Sequence, residues 1–546
     1  MKKTNQTFNY TDTPSVKRRN RLMGGAMILA VGSVIGKIIG ALYRIPLTNV
    51  LGAEGMGMYQ LVFPVFALFM VLSSAGVPTA LSRIVAEKRA MGESVKKYLF
   101  VAMAVLVTLS TLSTILVLSL SRPLARWQGN ESVALGFQII APSIFFVGIT
   151  AGLRGWFQGE MHMLPTAISN VIEQVVKLAC GLALAVYLKR YGLIWSVAGA
   201  FLGVTLSEIV AAGYLVITYL VRERKHKVSG KLLSFEKEEG VKMLRIAFPI
   251  AIVALLLPLS NFFDSFIVVN VLKLRGLSTH LATSQYGLLS GPVTSLVNMP
   301  VVLIMSLAVA IVPSVSVSRA ERDIDSILFK SRLSLKLAYM VGVPSAIFMM
   351  VFSREIISLL YSSLEEGPLI TASNLLIITA PNIVIMSVMQ IYVSLLQALD
   401  KTMSAVKGLT VAVALKIVLS VVLVRYIGII GAGVSMLVMS VTALILVNVS
   451  FLRLTSLRLH QPIALSLFSG GVSGLCILVP KAYIVHDILA LFIGFVLCYT
   501  VYFFLSTLFG VMDRQEYHSL PLGKILLKLH RIVRFWEYEN GTHIRS

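Results

Sequence analysis

Long apolar runs recur along this chain from residue 22 almost to residue 510, and no other feature limits its fold so tightly. A hydrocarbon core about 30 Å thick is crossed by roughly 20 apolar residues as an α-helix. Fourteen such runs are present, near 22–47, 57–82, 98–121, 133–153, 165–188, 195–221, 244–272, 289–313, 331–352, 369–398, 403–424, 429–452, 461–480 and 487–510. With 57% hydrophobic and 13% charged residues in 546, the chain reads as an all-α polytopic membrane protein of fourteen transmembrane helices.

The net charge of +23 would suit nucleic acid, but the basic residues alternate with the loops instead of forming a patch. Of the 48 Lys and Arg, 35 fall in the termini and in alternate loops, and only nine in the seven opposite loops. Positive residues mark the cytoplasmic side, so both termini are expected there and nucleic acid is not an expected partner. The basic N-terminus runs into an apolar span holding Lys37 with no small-residue cleavage site, so a retained first helix is expected and not a signal peptide. Cys180, Cys476 and Cys498 all sit in apolar runs, which implies neither a disulfide framework nor a metal site.

The chain also repeats itself. "QGEMHMLPTAISNVIEQVVK" (158–177) aligns with "QALDKTMSAVKGLTVAVALK" (397–416), each running from Gln to Lys over the same spacing. The copies continue as "YGLIWSVAGA" (191–200) and "YIGIIGAG" (426–433), and upstream "GVPTALSR" (76–83) echoes "IVPSVSVSR" (311–319). Two like-oriented six-span lobes follow, with two further C-terminal helices. The division is a basic N-terminus 1–21, an N-lobe 22–221, a cytoplasmic linker 222–243, a C-lobe 244–452, the added spans 453–510 and a tail 511–546. Such pseudo-symmetric pairs enclose a central cavity and rock about it, which is transporter architecture.

Ionisable residues inside spans are costly, at about 2.5–3.5 kcal/mol each at the bilayer centre, and so mark candidate function. Lys37 and Arg44 lie seven apart, two helical turns along one face of the first span, with Gly36 and Gly40 between them. A cationic, glycine-lined stripe suits phosphate oxygens. Glu173 and Lys177, four apart in the favourable order for an ion pair, share a face of span 5. The second copy keeps the base as Lys416 but has no acid at the matching place, so Lys177 and Lys416 are expected to face the cavity. Asp264 in span 7 is a further candidate, for pairing with the cavity cations, for binding a coupling ion or for a plain interhelical hydrogen bond, and Glu208 in span 6, with no partner evident in the sequence, reads as a protonated buried acid or a proton-coupling group. Arg83, Arg154, Gln158 and Arg319 punctuate the cytoplasmic ends of spans and are candidates for gating.

Other chemistries find little support. Lys37, Lys231 and Lys524 each follow a Gly, but none is followed by Ser or Thr, so no ATP-binding loop of the Walker type exists, and no HExxH occurs. No cofactor is expected, and coupling is left to membrane potential, Na+ or H+. The tail "LPLGKILLKLHRIVRFWEY" (520–538) reads as an interfacial amphipathic anchor.

The stretches "LRGWFQGEMHMLPTAISNVIEQVVK" (153–177), "GKIIGALYRIPL" (36–47), "GAEGMGMYQ" (52–60) and "GVPTALSRIVAEK" (76–88) resemble the polysaccharide-flippase branch of the multidrug/oligosaccharidyl-lipid/polysaccharide (MOP) superfamily, in particular its sporulation and lipid II flippase members from Gram-positive bacteria. The resemblance spans nearly the whole chain. It implies flipping of an undecaprenyl-pyrophosphate-linked sugar precursor across the bacterial cytoplasmic membrane by alternating access. It also implies two six-helix lobes and a lipid-tail groove formed by the last two spans. The substrate is then a lipid-linked glycan, the surrounding partners are membrane lipids, and the working unit is a monomer. Where flippases of Gram-negative bacteria carry several arginines in the first spans, this chain has Lys37 and Arg44 and no basic residue within span 2. Two other classes stay open: an ion-coupled multidrug exporter of the same superfamily, which would bury acids rather than bases, and a membrane glycosyltransferase or ligase. The latter would need a larger outer loop than 353–369, which offers only Arg354, Glu355, Glu365 and Glu366.

Overall fold

The computed structural model describes residues 14–74, 76–91, 95–225, 237–455, 462–484, 486–512 and 514–518. Most of the N-terminal basic segment, the centre of the linker and the amphipathic stretch 520–538 lie outside the described residues.

Among the described residues every regular element is helical, as bilayer physics requires of open-ended spans. In chain order they are α1 (Pro14–Ser74), α2 (Val77–Ala90), α3 (Lys96–Ser119), α4 (Ser121–Trp127), α5 (Ala134–Gly159), α6 (Met163–Leu188) and α7 (Leu193–Lys225). Then come α8 (Lys237–Leu274), α9 (Thr279–Leu288), α10 (Thr294–Ala320), α11 (Ile324–Val351), α12 (Ser353–Leu360), α13 (Glu366–Thr379) and α14 (Asn382–Ala398). The last are α15 (Thr402–Ile427), α16 (Ile429–Thr455), α17 (Ile463–Tyr483), α18 (Asp487–Leu508) and α19 (Arg514–His518).

Every predicted apolar run falls on helix. By length and composition, twelve helices among the described residues can cross a membrane, or thirteen when the bent pair α13 and α14 is one span. The expected fourteen is not reached on that count, because the first two runs share the stretch Ile35–Arg89. Helix α1 alone has 61 residues, and its one break is at Gly52 (φ 69°), between those two runs. Proline explains two other irregularities. Pro292 sits in a π-helical turn, Leu289–Val293, between α9 and α10, and Pro381 stands where α13 and α14 bend by 42°. Capping is sparse but present: the Asp323 carboxylate accepts the Ser326 N–H at 2.9 Å to start α11.

The chain packs into two compact units. The first takes in the described residues of 1–43, 61–127 and 131–262; the second takes in those of 44–60, 128–130 and 263–546. The first is built on Leu81, Val85, Leu99, Trp156, Phe157 and Leu215, joining α2, α3, α5 and α7. The second centres on Leu335, Tyr339, Tyr392, Leu395, Phe451 and Tyr502, joining α11, α14, α16 and α18. Specific bonds explain why residues 44–60 belong with the second unit. Asn49 donates to the Leu360 carbonyl at 2.8 Å, His280 meets Glu54 at 2.9 Å, and Gln60 donates to the Ser290 carbonyl.

The internal repeat is visible in the helix pairs. Helices α6 and α7 are joined through Gly192 (φ 112°), and α15 and α16 through Gly428 (φ 71°), the same residue type in the same left-handed turn in both copies.

One contact lay beyond sequence reasoning. Lys336, counted among the cytoplasmic loop charges, is a buried residue of α11, and its ammonium meets the buried Glu516 of α19 at 2.8 Å. Beside it Tyr517 shares a hydrogen bond with Thr507, so the end of the described chain is fastened to the core of the second unit.

Candidate functional site

Each unit carries a charged cluster inside its apolar helices. In the first, Arg154 of α5 reaches α6, where its Nη2 lies 3.0 Å from Glu173 and its Nε donates to Ser169 at 3.0 Å. The Gln174 amide donates to the other Glu173 oxygen at 2.9 Å. Both Glu173 oxygens therefore have donors, which lowers the cost of a carboxylate at this depth. Sequence spacing offered Lys177 as the partner of Glu173; the partner found is Arg154, nineteen residues away across the turn between α5 and α6. Lys177 is half-buried one turn further along α6 and acts electrostatically on Glu208 of α7, as do Glu173 and Arg154. Glu208 is 6% exposed, and its Oε2 has no hydrogen-bond partner.

Gln174 also connects this cluster to α1. A Cβ built on Gly40 would lie 2.9 Å from the Gln174 carbonyl oxygen, and Gly36 faces the same side chain. The small-residue face of the first span is thus the seat of a glutamine that holds Glu173. Lys37, on the same helix, is exposed.

In the second unit the base left alone by the repeat does have an acid. Lys416 of α15 is ion-paired with Asp264 of α8, their side chains 5% and 19% exposed. The second Asp264 oxygen is buried without a partner. Arg44 lies in this unit too, donating to Ser295 Oγ at 3.2 Å, with the Tyr59 and Tyr361 phenols close enough to act on it electrostatically. The Tyr361 hydroxyl is buried and makes no hydrogen bond.

The structure therefore gathers Arg154, Glu173, Lys177 and Glu208 in one unit and joins Asp264 to Lys416 in the other. Lys37 and Arg44 fall in different units. Of the remaining candidates, Arg83 is exposed on α2, Arg319 pairs with Asp400, and the Gln158 carbonyl accepts the Met161 N–H where α5 ends. A residue the sequence did not mark lies beside Gln158. Glu160, 7% exposed, is clamped by Arg222 at 3.1 Å and Arg89 at 3.5 Å, which ties the ends of α2, α5 and α7 together. Among the described residues, no group of three or more His, Cys, Asp or Glu could hold a metal ion. The outer acids Glu355 and Glu366 are engaged by Lys481 and Arg354.

Against known proteins, the family model described as "Polysaccharide biosynthesis protein" matches residues 22–319, more than half of the chain. The chain belongs to the polysaccharide biosynthesis protein family. A second family model, MatE, matches residues 249–422. Among curated relatives of this family member, stage V sporulation protein B of Bacillus subtilis is 27% identical over 63% of this chain and 68% of its own. Lipid II flippase MurJ of the same organism is 26% identical over 74% of this chain and 78% of its own. A solved structure of lipid II flippase MurJ in an inward closed conformation superposes with a TM-score of 0.69, over 89% of this chain and 99% of that one, at 15% identity. That last likeness shows the fold alone of this polysaccharide biosynthesis family member, an all-helical one.

Proposed function

We propose that this protein is a flippase of the bacterial cytoplasmic membrane that carries an undecaprenyl-pyrophosphate-linked sugar unit from the inner to the outer leaflet by alternating access. It is not an enzyme on this reading, and it works as a monomer among membrane lipids. The family match over residues 22–319 carries the proposal, and the two curated relatives, a sporulation protein and a lipid II flippase, support it. Two residues supply the chemistry. Arg44 and Lys37 are cations placed within apolar helices, and a guanidinium matches phosphate oxygens in geometry as well as charge. Moving an anionic pyrophosphate outward from a negative interior draws on membrane potential, about 2.3 kcal/mol per charge per 100 mV, with Na+ or H+ as a coupling ion.

Depleting the protein and extracting membrane lipids tests the reading. Accumulation of one lipid-linked sugar on the cytoplasmic leaflet names the substrate. The MatE match over residues 249–422 favours a second reading, export of multidrug-type compounds, and unchanged lipid pools with altered dye efflux would replace the flippase reading with it.

Two further outcomes are expected. Lys37→Gln removes the charge but keeps most of the stem, so it should abolish complementation at normal protein level, whereas Lys37→Arg should retain part of it; full activity of the Gln variant would demote Lys37. For orientation, a reporter active only outside the cytoplasm should be active after residue 364 and silent after residues 230 and 540. The opposite pattern would reverse the assigned direction of transport.

A further inference from the structure

We propose that Glu208 is a proton-binding site of the first unit, a carboxyl that takes up and releases one proton in each transport cycle. The idea rests on the transporter reading above and adds to it the coupling ion and its seat. The charged groups that act on Glu208 are Arg154 from α5 and Glu173 and Lys177 from α6. With Glu208 ionised the four side chains sum to zero, and with it protonated they sum to one positive charge. Both states are tolerable. An ionised Glu208 is balanced by the nearby cations, while a protonated one carries no charge to desolvate, and the buried Oε2 has no hydrogen-bond partner already occupying it. Each turn of the cycle forms an O–H bond at this carboxyl with a proton from water and later breaks it, returning the proton to water.

A proton fits the cluster better than a metal cation. Arg154 and Lys177 already place two positive charges there, and the two oxygens of Glu173 are taken by Arg154 and Gln174. What is left is one carboxylate oxygen without a partner, which suffices for a proton and not for a coordination shell. Asp264 in the second unit differs, because Lys416 holds it in an ion pair. The first cluster can also report its charge. Glu173 is bonded by Gln174, whose side chain lies against Gly36 and whose amide lies against Gly40, so a change of field at Glu208 reaches α1 through one glutamate and one glutamine.

The test reads protonation directly, by infrared difference spectroscopy of the full-length protein in lipid nanodiscs across a pH series. The wild type should show a buried carboxylic-acid C=O band that disappears as pH rises. Glu208→Gln should remove it, and Glu321→Gln, at an exposed position, should leave it. Lys177→Gln takes away one cation that favours the ionised form, so the band should persist to a pH higher by about 1 unit or more. That variant tests the idea even if Glu208→Gln fails to fold. A band that survives Glu208→Gln, or does not move in Lys177→Gln, overturns the proposal. So does a band abolished by Na+ at constant pH, which would make this a sodium site. None of these readings needs the lipid substrate, so failure here leaves the lipid-accumulation test of the flippase reading untouched, and the converse holds.

Discussion

Lys416→Ala should lower the stability of the second unit by about 3–5 kcal/mol, the usual effect of removing one member of a buried ion pair. The loss comes less from the missing attraction than from what remains. Asp264 would keep a carboxylate with one buried oxygen already unpartnered and the other newly so, on a side chain only 19% exposed. Removing both charges is different: Asp264→Leu with Lys416→Met replaces the pair by apolar side chains and should recover most of the stability. Heating the purified protein and measuring the monodisperse fraction by size-exclusion chromatography separates these cases. The two variants also divide structure from transport. If the pair only holds α8 to α15, the double variant complements; if Lys416 also meets substrate, it reaches the membrane in normal amount and fails. A Lys416→Ala protein as heat-stable as the wild type would sink the argument.

Gly76→Ala should be nearly as damaging to the first unit, by about 2–5 kcal/mol, for reasons of backbone and space together. Gly76 precedes α2 with φ of 83°, a left-handed conformation that disfavours any Cβ. The position is also crowded: a Cβ there would fall inside the contact radius of the Ala247 carbonyl oxygen of α8, which as backbone cannot swing aside. Gly213→Ala is the control, because a Cβ at that glycine meets nothing within 4 Å and its φ is ordinary. Gly76→Ala should lose folded yield sharply while Gly213→Ala does not. Equal yields would show that α2 and α8 separate at little cost.

What could be read from the sequence was whatever a single helix decides for itself. Twenty apolar residues in a row have few other folds in a bilayer, so the apolar runs fall on helices. The repeat was legible too, because Lys177 and Lys416 sit at matching places on α6 and α15. Partnership between helices was not. Glu173 had a base four residues away on its own face, yet Arg154 reaches it from α5, a contact made across two helices that spacing within one helix does not show. Asp264 was legible as an acid that could pair with the cavity cations, but not which of them it would take, because Lys416 lies 152 residues away, a separation at which spacing carries no information. Lys336 looked like one more loop cation because charge counting weighs the side of the membrane and not depth, and its acid lies past the last apolar run. Counting spans met a related limit: the first two runs share one continuous helical stretch, whose break at Gly52 lies between them.

The Lys336–Glu516 pair has a consequence for biogenesis. Glu516 follows Lys336 by 180 residues, and at a synthesis rate of about 5–20 residues per second that separation corresponds to roughly 10–35 s. Throughout that interval the α11 ammonium is without its Glu516 partner, so this ion pair closes only after the last span has been made. Closing the pair is among the last events in assembling the second unit, and a ribosome that stops before Glu516 leaves a protein whose defect lies in the middle of the bundle and not at its end.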